Sequence, residues 1–437
     1  MAAGVTTSTL AGLLTEAFSR DTTFAPHERK FAKFHEMTMD FTNEAPLGKG
    51  RTFGIQTKSS HSTGAASEAS GVLPTPRSPE IIQANVDAVQ IAASFSVSEL
   101  MLAVSKGEGS LGPDGVAMLV KGTTEDAVCA LNRLSLGHGT GRLAVTQNTT
   151  TSATQVMRNP EGTWQLRVNM IVDIYDTDAG SGSKQGNTLT IDSIDDATRT
   201  VVFSASLTGT AGWGVYQALT SAVSTYNVAP FGLRAWGDNG ALTATIAGIT
   251  RASYPGINAN VIAPGSGTQS YTEKLIRKAI NTAKRACGVI PDAAICNDGI
   301  ISEHLNHLTG DRLYTVGVGE TTPGYKIGFD PTKIGFQYGG TFIPYTVDND
   351  FPSREIVFFK KSLFRRHQLR PLNWLGDDSG AEGLPKAMLM QLPASGGSYE
   401  LAKIAGLLAM VNYGNRMPKS IVSVRSIADE ELAGDTV

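Results

Sequence analysis

Apolar positions change period along the chain, and each change predicts an element. Leu10, Leu13, Leu14 and Phe18 share one side of a short amphipathic helix within residues 1–20. Residues 24–44 then scatter Phe24, Phe31, Phe34 and Phe41 among charges and histidines, an N-terminal arm with apolar anchors and no core of its own. From Arg51 to Lys58 the period becomes two, with Phe53 and Ile55 on one face, and it is two again from Val89 to Val97 through Ile91, Ala93 and Phe95. Between these strands, residues 59–79 read SSHSTGAASEASGVLPTPRSP, too poor in large apolar side chains to build a local core. Structureless loops of that length are uncommon inside compact domains. Two readings follow: a mobile linker, or a long two-stranded arm ordered by lying on a neighbouring subunit, because an isolated hairpin is marginal in water.

Residues 112–136 predict a long helix. Gly112 precedes Pro113 and Asp114 at its start, Val116, Leu119, Val120, Ala127, Ala130, Leu131 and Leu134 keep mostly helical spacing, and Gly137 stops it. Gly122 is a weak point where a break is expected to be easiest. Residues 160–210 turn to β character: Leu166–Tyr175 alternates through Val168, Met170, Val172 and Ile174, and Leu189–Ile194 and Val201–Leu207 flank a turn at Asp195–Asp196. Residues 211–262 hold Trp213 and Trp236 among glycines and read as mostly irregular. Ser270 and Glu273 suggest a capping box for a helix whose stripe is Leu275, Ile276, Ala279, Ile280, Ala283 and Cys287, closed by Gly288 with Lys284 and Arg285 in its last turn. A second helix is expected from Ile300 to Leu308, then strands at Ile334–Tyr338, Thr341–Val347 and Glu355–Phe359, apolar or alternating runs at 386–392 and 399–411, and a last strand at Ser420–Val424.

Length and composition narrow the class. At about 150 residues per domain, 437 residues predict roughly three units or one elaborated fold. Hydrophobic residues make up 41%, which excludes a wholly disordered chain. Charged residues are only 18%, against about 25% in ordinary soluble domains, as expected where partners cover much of the surface. The net charge of −3 argues against a dedicated nucleic-acid binder. Cys129, Cys287 and Cys296 form no CxxC pair and no disulfide framework; they read as small buried apolar residues of a protein made in a reducing cytosol. The N-terminus lacks the basic segment of a secretory signal, and the apolar run Ile404–Val411 is far short of the ~20 residues of a membrane span, so it reads as core.

Catalytic and ligand motifs do not assemble. His304 and His307 have H-x-x-H spacing without the zincin glutamate. Asp176, Asp178 and Gly180 begin like a calcium loop, but Ser181 and Asn187 stand where Gly and Glu are needed. Gly317-Val318-Gly319 runs on to Thr322 instead of the third glycine of a dinucleotide fingerprint, and neither a P-loop nor a G-x-S-x-G elbow occurs. Gly137-His138-Gly139-Thr140-Gly141 reads as a helix stop that lets backbones approach closely rather than as a catalytic histidine loop, and Asn148-Thr149-Thr150 is a glycosylation sequon without meaning for a cytosolic product. Lys360, Lys361, Arg365, Arg366, His367 and Arg370 form one basic cluster, which reads as a structural or inter-subunit contact. No catalytic residue, cofactor or metal ligand is assigned, and no enzyme activity is expected.

Three stretches carry a family likeness: GITRASYPGINANVIAPG (248–265) leading into the helix at 270–287, VIPDAAICNDGIISEHLNHLTGDRLY (289–314), and, closest, YGGTFIPYTVDNDFPSREIVFFKKSLF (338–364). With the order of elements, they resemble the major capsid proteins of tailed bacteriophages. The resemblance implies an α+β, Hong Kong 97-like capsid fold with seven parts. These are an N-terminal arm (1–45), an extended loop (46–90), a peripheral domain with a spine helix (91–145), the start of the axial domain with a β-rich insertion (146–262), the axial domain (263–360), a peripheral return (361–405), and axial domain with C-terminal tail (406–437). It implies that Lys49, Arg51, Phe53, Lys58, Val72, Leu73 and Arg77 lie on the inter-subunit loop and that Val120, Leu131 and Leu134 belong to the spine helix, while Lys360, Lys361, Arg365, Arg366 and Arg370 keep the contact role read from their own charges. It further implies a structural subunit that assembles in a bacterial host cytoplasm into the hexamers and pentamers of an icosahedral virion shell. The implied partners are a portal, separate scaffolding or cement proteins, and non-specifically held double-stranded DNA, with no membrane. A β-rich tail or decoration component, which should lack the helices at 112–136 and 270–308, and a protein-filled cellular compartment are the competing readings.

Overall fold

A computed structural model describes the chain apart from residues 1–31, 47, 65–73, 99–111, 148–151, 177–181, 208–210, 220–225, 266, 310–334, 339, 375–389, 394–398 and 429–437. The expected helix within 1–20, Val72 and Leu73, the sequon at 148–150, Asp178 and Gly180, and Gly317-Val318-Gly319 lie outside the described residues. The chain divides into two compact units, one of residues 1–32, 88–132 and 368–411, the other of 33–87, 133–367 and 412–437.

In the first unit, the strand Val89–Ser98 runs antiparallel along Tyr399–Asn415, pairing Val89 with Val411 and Ala402 with Ser98. Phe364–Trp374 and Met390–Pro393 complete a four-stranded sheet with the same long central strand. The alternation read at Ile91 and Val97 is the buried face of that pairing. The helix Gly112–Leu136 keeps the limits that its apolar spacing predicts. Gly122 does not break it; a Cβ there would meet nothing within 4 Å. Leu131 is buried, whereas Val120 and Leu134 are half-buried.

The second unit is built on two sheets. The larger core belongs to a six-stranded mixed sheet ordered 260–262, 422–424, 356–359, 293–296, 341–347, 335–338. The first two of these strands are parallel, as are 293–296 and 341–347. Ile276, Ala279, Ile280 and Ala283 of the helix Glu273–Cys287 and Ile300 and Ile301 of the helix Asp298–Thr309 pack on Ala294, Ile356, Phe358, Val422 and Val424. The first of these helices is capped two residues later than expected: Thr272, with extended backbone, accepts the Leu275 N–H at 3.2 Å, whereas Ser270 stands outside the first turn. Its end is as expected, with Gly288 at φ +71 donating to the Lys284 carbonyl.

The β insertion closes on itself. Its strands run in the order 142–145, 214–217, 171–175, 184–195, 200–207, 152–156. The two ends of that order meet through the Thr146–Met157 bridge, with Gln147 N–H to Val156 O at 2.8 Å and Arg158 N–H to Val145 O at 2.7 Å. The result is a small barrel filled by Leu143, Met157, Leu166, Val172, Ile174, Ile191, Val201, Phe203, Trp213 and Val215, and closure removes the exposed edges of an open sheet. Only Ile171–Tyr175 of the expected strand Leu166–Tyr175 is extended. The Arg167 guanidinium donates to the carbonyls of Trp164 and Leu166 and pairs with Asp350 at 2.8 Å, which folds the preceding residues into turns and leaves Val168 exposed. Residues 211–262 have little regular structure but are not peripheral: Trp236 is fully buried and donates to the Tyr413 carbonyl.

Candidate functional site

Three features of the second unit bear on function: a hairpin, a stitched N-terminal segment and a buried ionic ladder. The hairpin pairs Gly50–Lys58 antiparallel with Glu80–Asp87, in register from Gly50–Asp87 to Gln56–Ile81 and, past an irregularity at Thr57, at Lys58–Glu80. The second strand is not the Val89–Val97 run but the eight residues Glu80–Asp87. One face, Phe53, Ile55, Ala84 and Val86, is buried on the subunit's own body, and the other, Thr52, Gly54, Gln56, Ile81, Gln83 and Asn85, is exposed. Phe53 stacks on His367 at 5.9 Å and lies 6.3 Å from Trp236, and Asn85 N–H donates to the Ala247 carbonyl at 3.0 Å. The hairpin stem is therefore anchored within one chain. The reading that residues 46–90 need a neighbour for order is corrected for this stem, because its apolar face finds partners at home. Phe53 is one of those intrachain anchors. Lys49 and Lys58 pair with Asp87 and Glu80 at 3.0 and 2.9 Å, closing the two ends of the ladder of strand pairs. Lys58 and Thr57 hold the Glu80 carboxyl below its ordinary pKa. Arg51 is half-exposed, and Arg77 N–H donates to Ser62 Oγ at 2.8 Å across the stem of the loop.

The residues after 32 are not a free arm. Phe34 and Phe41 are buried with Phe359 and Phe364, all in edge-on contacts between 5.5 and 6.4 Å. Phe34 N–H donates to Asp348 Oδ2, and Glu44 N–H and Arg366 N–H donate to the Arg366 and Thr42 carbonyls. This segment also absorbs half of the basic cluster. Arg365 and Arg416 reach Glu44 Oε1 at 3.5 and 2.7 Å, Arg366 contacts Met39 Sδ, and His367 Nδ1 bonds the Glu44 carbonyl. Burial lowers the His367 pKa, so its ring packs as a neutral aromatic. Arg370 belongs to the other unit and donates to the Trp374 carbonyl. Lys360 and Lys361 are half-buried, with Lys361 N–H held by Asp292 Oδ1. The cluster is thus divided among separate contacts.

The ladder was not apparent in the sequence. Arg142 pairs with Glu161 at 2.8 Å, Glu161 with Arg234 at 3.4 Å, Arg234 with Glu355 at 3.0 Å, Glu355 with Arg425 at 3.0 Å, and Arg425 with Asp238 at 2.9 Å. Cations and carboxylates alternate, and five distant chain segments meet through them. Burial penalises the Glu161 carboxylate, but Arg142 and Arg234 prevail and hold its pKa well below the ordinary value. Asp238 is likewise lowered against its burial, by Arg425 and by the N–H groups of Thr243 and Leu242. Beside the ladder, His138 is almost wholly buried, and burial with the Arg142 and Arg234 charges drives its pKa well down. His138 sits between glycines that permit close backbone approach: a Cβ on Gly139, at φ +90, would stand 2.9 Å from the Phe231 ring. His304 packs against Tyr271 and Tyr345, and among the described residues no cluster of three or more His, Cys, Asp or Glu could hold a metal ion.

No family model and no curated protein sequence matches the chain. Among solved structures, the cyanophage A-1(L) capsid asymmetric unit is similar over 97% of this chain and 99% of that chain, at 12% identity and a TM-score of 0.56. The chain has the Hong Kong 97-like phage capsid fold. The capsid of a native GTA particle is similar over 96% of this chain and 98% of that chain, at 10% identity and a TM-score of 0.45. A structure of Mycobacterium phage Bobi is similar over 98% of this chain and 99% of that chain, at 12% and 0.42. In this capsid fold the hairpin Gly50–Lys58/Glu80–Asp87, the long helix Gly112–Leu136 and the mixed sheet come from one chain co-extensive with the cyanophage subunit. The helices at 112–136 and 273–309 are those that a β-rich tail component was expected to lack.

Proposed function

We propose that this chain is a major capsid protein, a structural and non-catalytic subunit that closes as hexamers and pentamers into an icosahedral virion shell around double-stranded DNA. The supporting observation is the end-to-end likeness of its fold to a capsid subunit, 97% of one chain against 99% of the other. Residues 46–90 supply the overlap between subunits: the stem docks at home, and the loop beyond Lys58, with Arg77, Val72 and Leu73, reaches the next copy. A shell suits this design, since many modest contacts repeated by symmetry are jointly stable. Portal, scaffolding or cement proteins complete the particle, which assembles in the host cytoplasm.

Electron microscopy of the purified full-length chain tests the proposal. Closed shells or capsomer rings are expected. A strictly monomeric species at all concentrations and salts tried, alone or with the neighbouring virion proteins, would refute it. Shells filled with protein rather than DNA in producing cells would transfer the fold to a cellular compartment.

A further inference from the structure

The helix Glu273–Cys287 carries a charged face that neither its packing nor the ladder uses. Its buried side is Ile276, Ala279, Ile280 and Ala283. At about 100° per residue, Lys274, Arg277, Lys278, Asn281, Lys284 and Arg285 fall on the opposite side, within roughly a third of the circumference. All six are exposed. Five are cations, in a chain whose net charge is −3. The one carboxylate of the helix, Glu273, is taken by Arg277 at 3.4 Å. Among the described residues no carboxylate pairs with Lys274, Lys278 or Arg285.

Two members of this face are held in place from the mixed sheet. The Tyr338 hydroxyl donates to Asn281 Oδ1, and the Lys284 ammonium stands 5.9 Å over the Tyr338 ring. Asn281 is exposed and accepts through its oxygen, which leaves its amide nitrogen as a donor. Five cations and an amide donor in a stripe about 16 Å long, on a rigid helix, match the sugar–phosphate backbone of a nucleic acid, which presents a charge every ~1.7 Å of duplex. Contacts to phosphates position a protein on the duplex and carry no sequence information. An acidic protein segment would also be attracted; the likeness of the fold to a capsid subunit favours the nucleic acid.

The geometry points to the exposed face of Glu273–Cys287 as the surface that contacts the phosphates of packaged DNA. This inference rests on the capsid reading for its ligand, and it names the residues on which that contact falls. In the shell this helix face looks onto the genome, while the remainder of the acidic subunit keeps the grip weak and salt-sensitive.

The test uses full-length subunits and a 24-base-pair duplex of mixed sequence, with binding followed by fluorescence anisotropy between about 50 and 200 mM salt. K274Q/K278Q/R285Q should flatten the slope of log affinity against log salt by about 3, and K278Q alone by about 1, at roughly 0.9 for each phosphate no longer neutralised. K33Q/K121Q/R158Q removes the same charge from exposed positions elsewhere and should leave the slope within about 1 of the wild type. Equal slopes for the two triple variants would overturn the inference. So would a 15-residue oligoglutamate that binds the wild type more tightly than the duplex, which would reassign the face to an acidic protein partner. Shell formation is scored separately by microscopy: absent wild-type shells count against the capsid reading, whatever the slopes show.

Discussion

A Cβ on Gly256 would stand 2.7 Å from the Thr57 carbonyl oxygen and 2.9 Å from Thr57 Cα. The first strand of the hairpin therefore lies on the 255–257 turn with room for a hydrogen and nothing larger. Gly256→Val should prise the stem away from the body while leaving the mixed sheet intact. The expected outcome is unchanged helix content, new protease cleavage between Gly50 and Asp87, and loss of shell closure. Wild-type resistance to protease would show that the stem tolerates the added bulk and is not seated as described.

Glu161 stands between two guanidinium groups in the interior, so its charge is worth more than its hydrogen bonds. Glu161→Gln keeps the shape but leaves Arg142 and Arg234 facing each other. Breaking a buried pair from one side typically costs about 3–5 kcal/mol. Urea unfolding of the variant should show a loss in that range, with the m-value unchanged. A loss below about 1 kcal/mol would mean that solvent reaches the ladder and screens it.

The ladder and His138 make stability depend on pH in two stages. The folded pKa of His138 lies well below its ordinary 6.5, so the unfolded chain binds a proton first. The His138 contribution is full above pH 6.5 and falls as the pH drops below it, by at most about 1.4 kcal/mol per pH unit. Glu161 and Asp238 are depressed below 4.5 and 3.8, so their contribution is full above those values and is lost on further acidification. His138→Gln should make the first stage shallower, leaving the share of His35 and His367, whose pKa values burial also lowers, and should spare the second. Melting temperatures from pH 7.5 to 3.5 measure both; a variant that keeps the upper slope would assign it to another group.

The sequence was most informative where one side-chain pattern served one element. The helix Gly112–Leu136, the stripe from Ile276 to Ala283 and the strand Gly50–Lys58 are local periodicities, and their limits could be read to within a residue or two. The strand Glu80–Asp87 was hidden because the Ser- and Pro-rich stretch before it runs directly into it, although Ile82, Ala84 and Val86 already alternate. The ladder was hidden for a different reason. Arg142, Glu161, Arg234, Asp238, Glu355 and Arg425 are isolated charges up to 283 positions apart, and only the fold makes them neighbours. The basic cluster at 360–370 misled in the opposite sense: adjacency in the chain suggested one patch, whereas strand alternation and the Glu44 carboxylate divide it. The basic helix face was legible by spacing but was overshadowed by the negative net charge.

The role proposed for the loop between the hairpin strands allows folding to be tested apart from assembly. Lys58 and Glu80 are already paired across the end of the stem, so a two-residue Asn-Gly turn can replace residues 59–79 without disturbing the register. The buried face at Phe53, Ile55, Ala84 and Val86 is untouched by that change, and closing a shorter loop costs less entropy. The shortened chain should therefore be soluble and at least as stable as the wild type by urea unfolding. It should nevertheless fail to close shells under conditions where the wild type does, because the part proposed to reach the neighbouring copy is gone. Sedimentation and microscopy on the two proteins side by side distinguish the cases. Shells of normal size and yield from the shortened chain would show that the overlap between subunits lies elsewhere on the molecule, with the stem serving only its own fold.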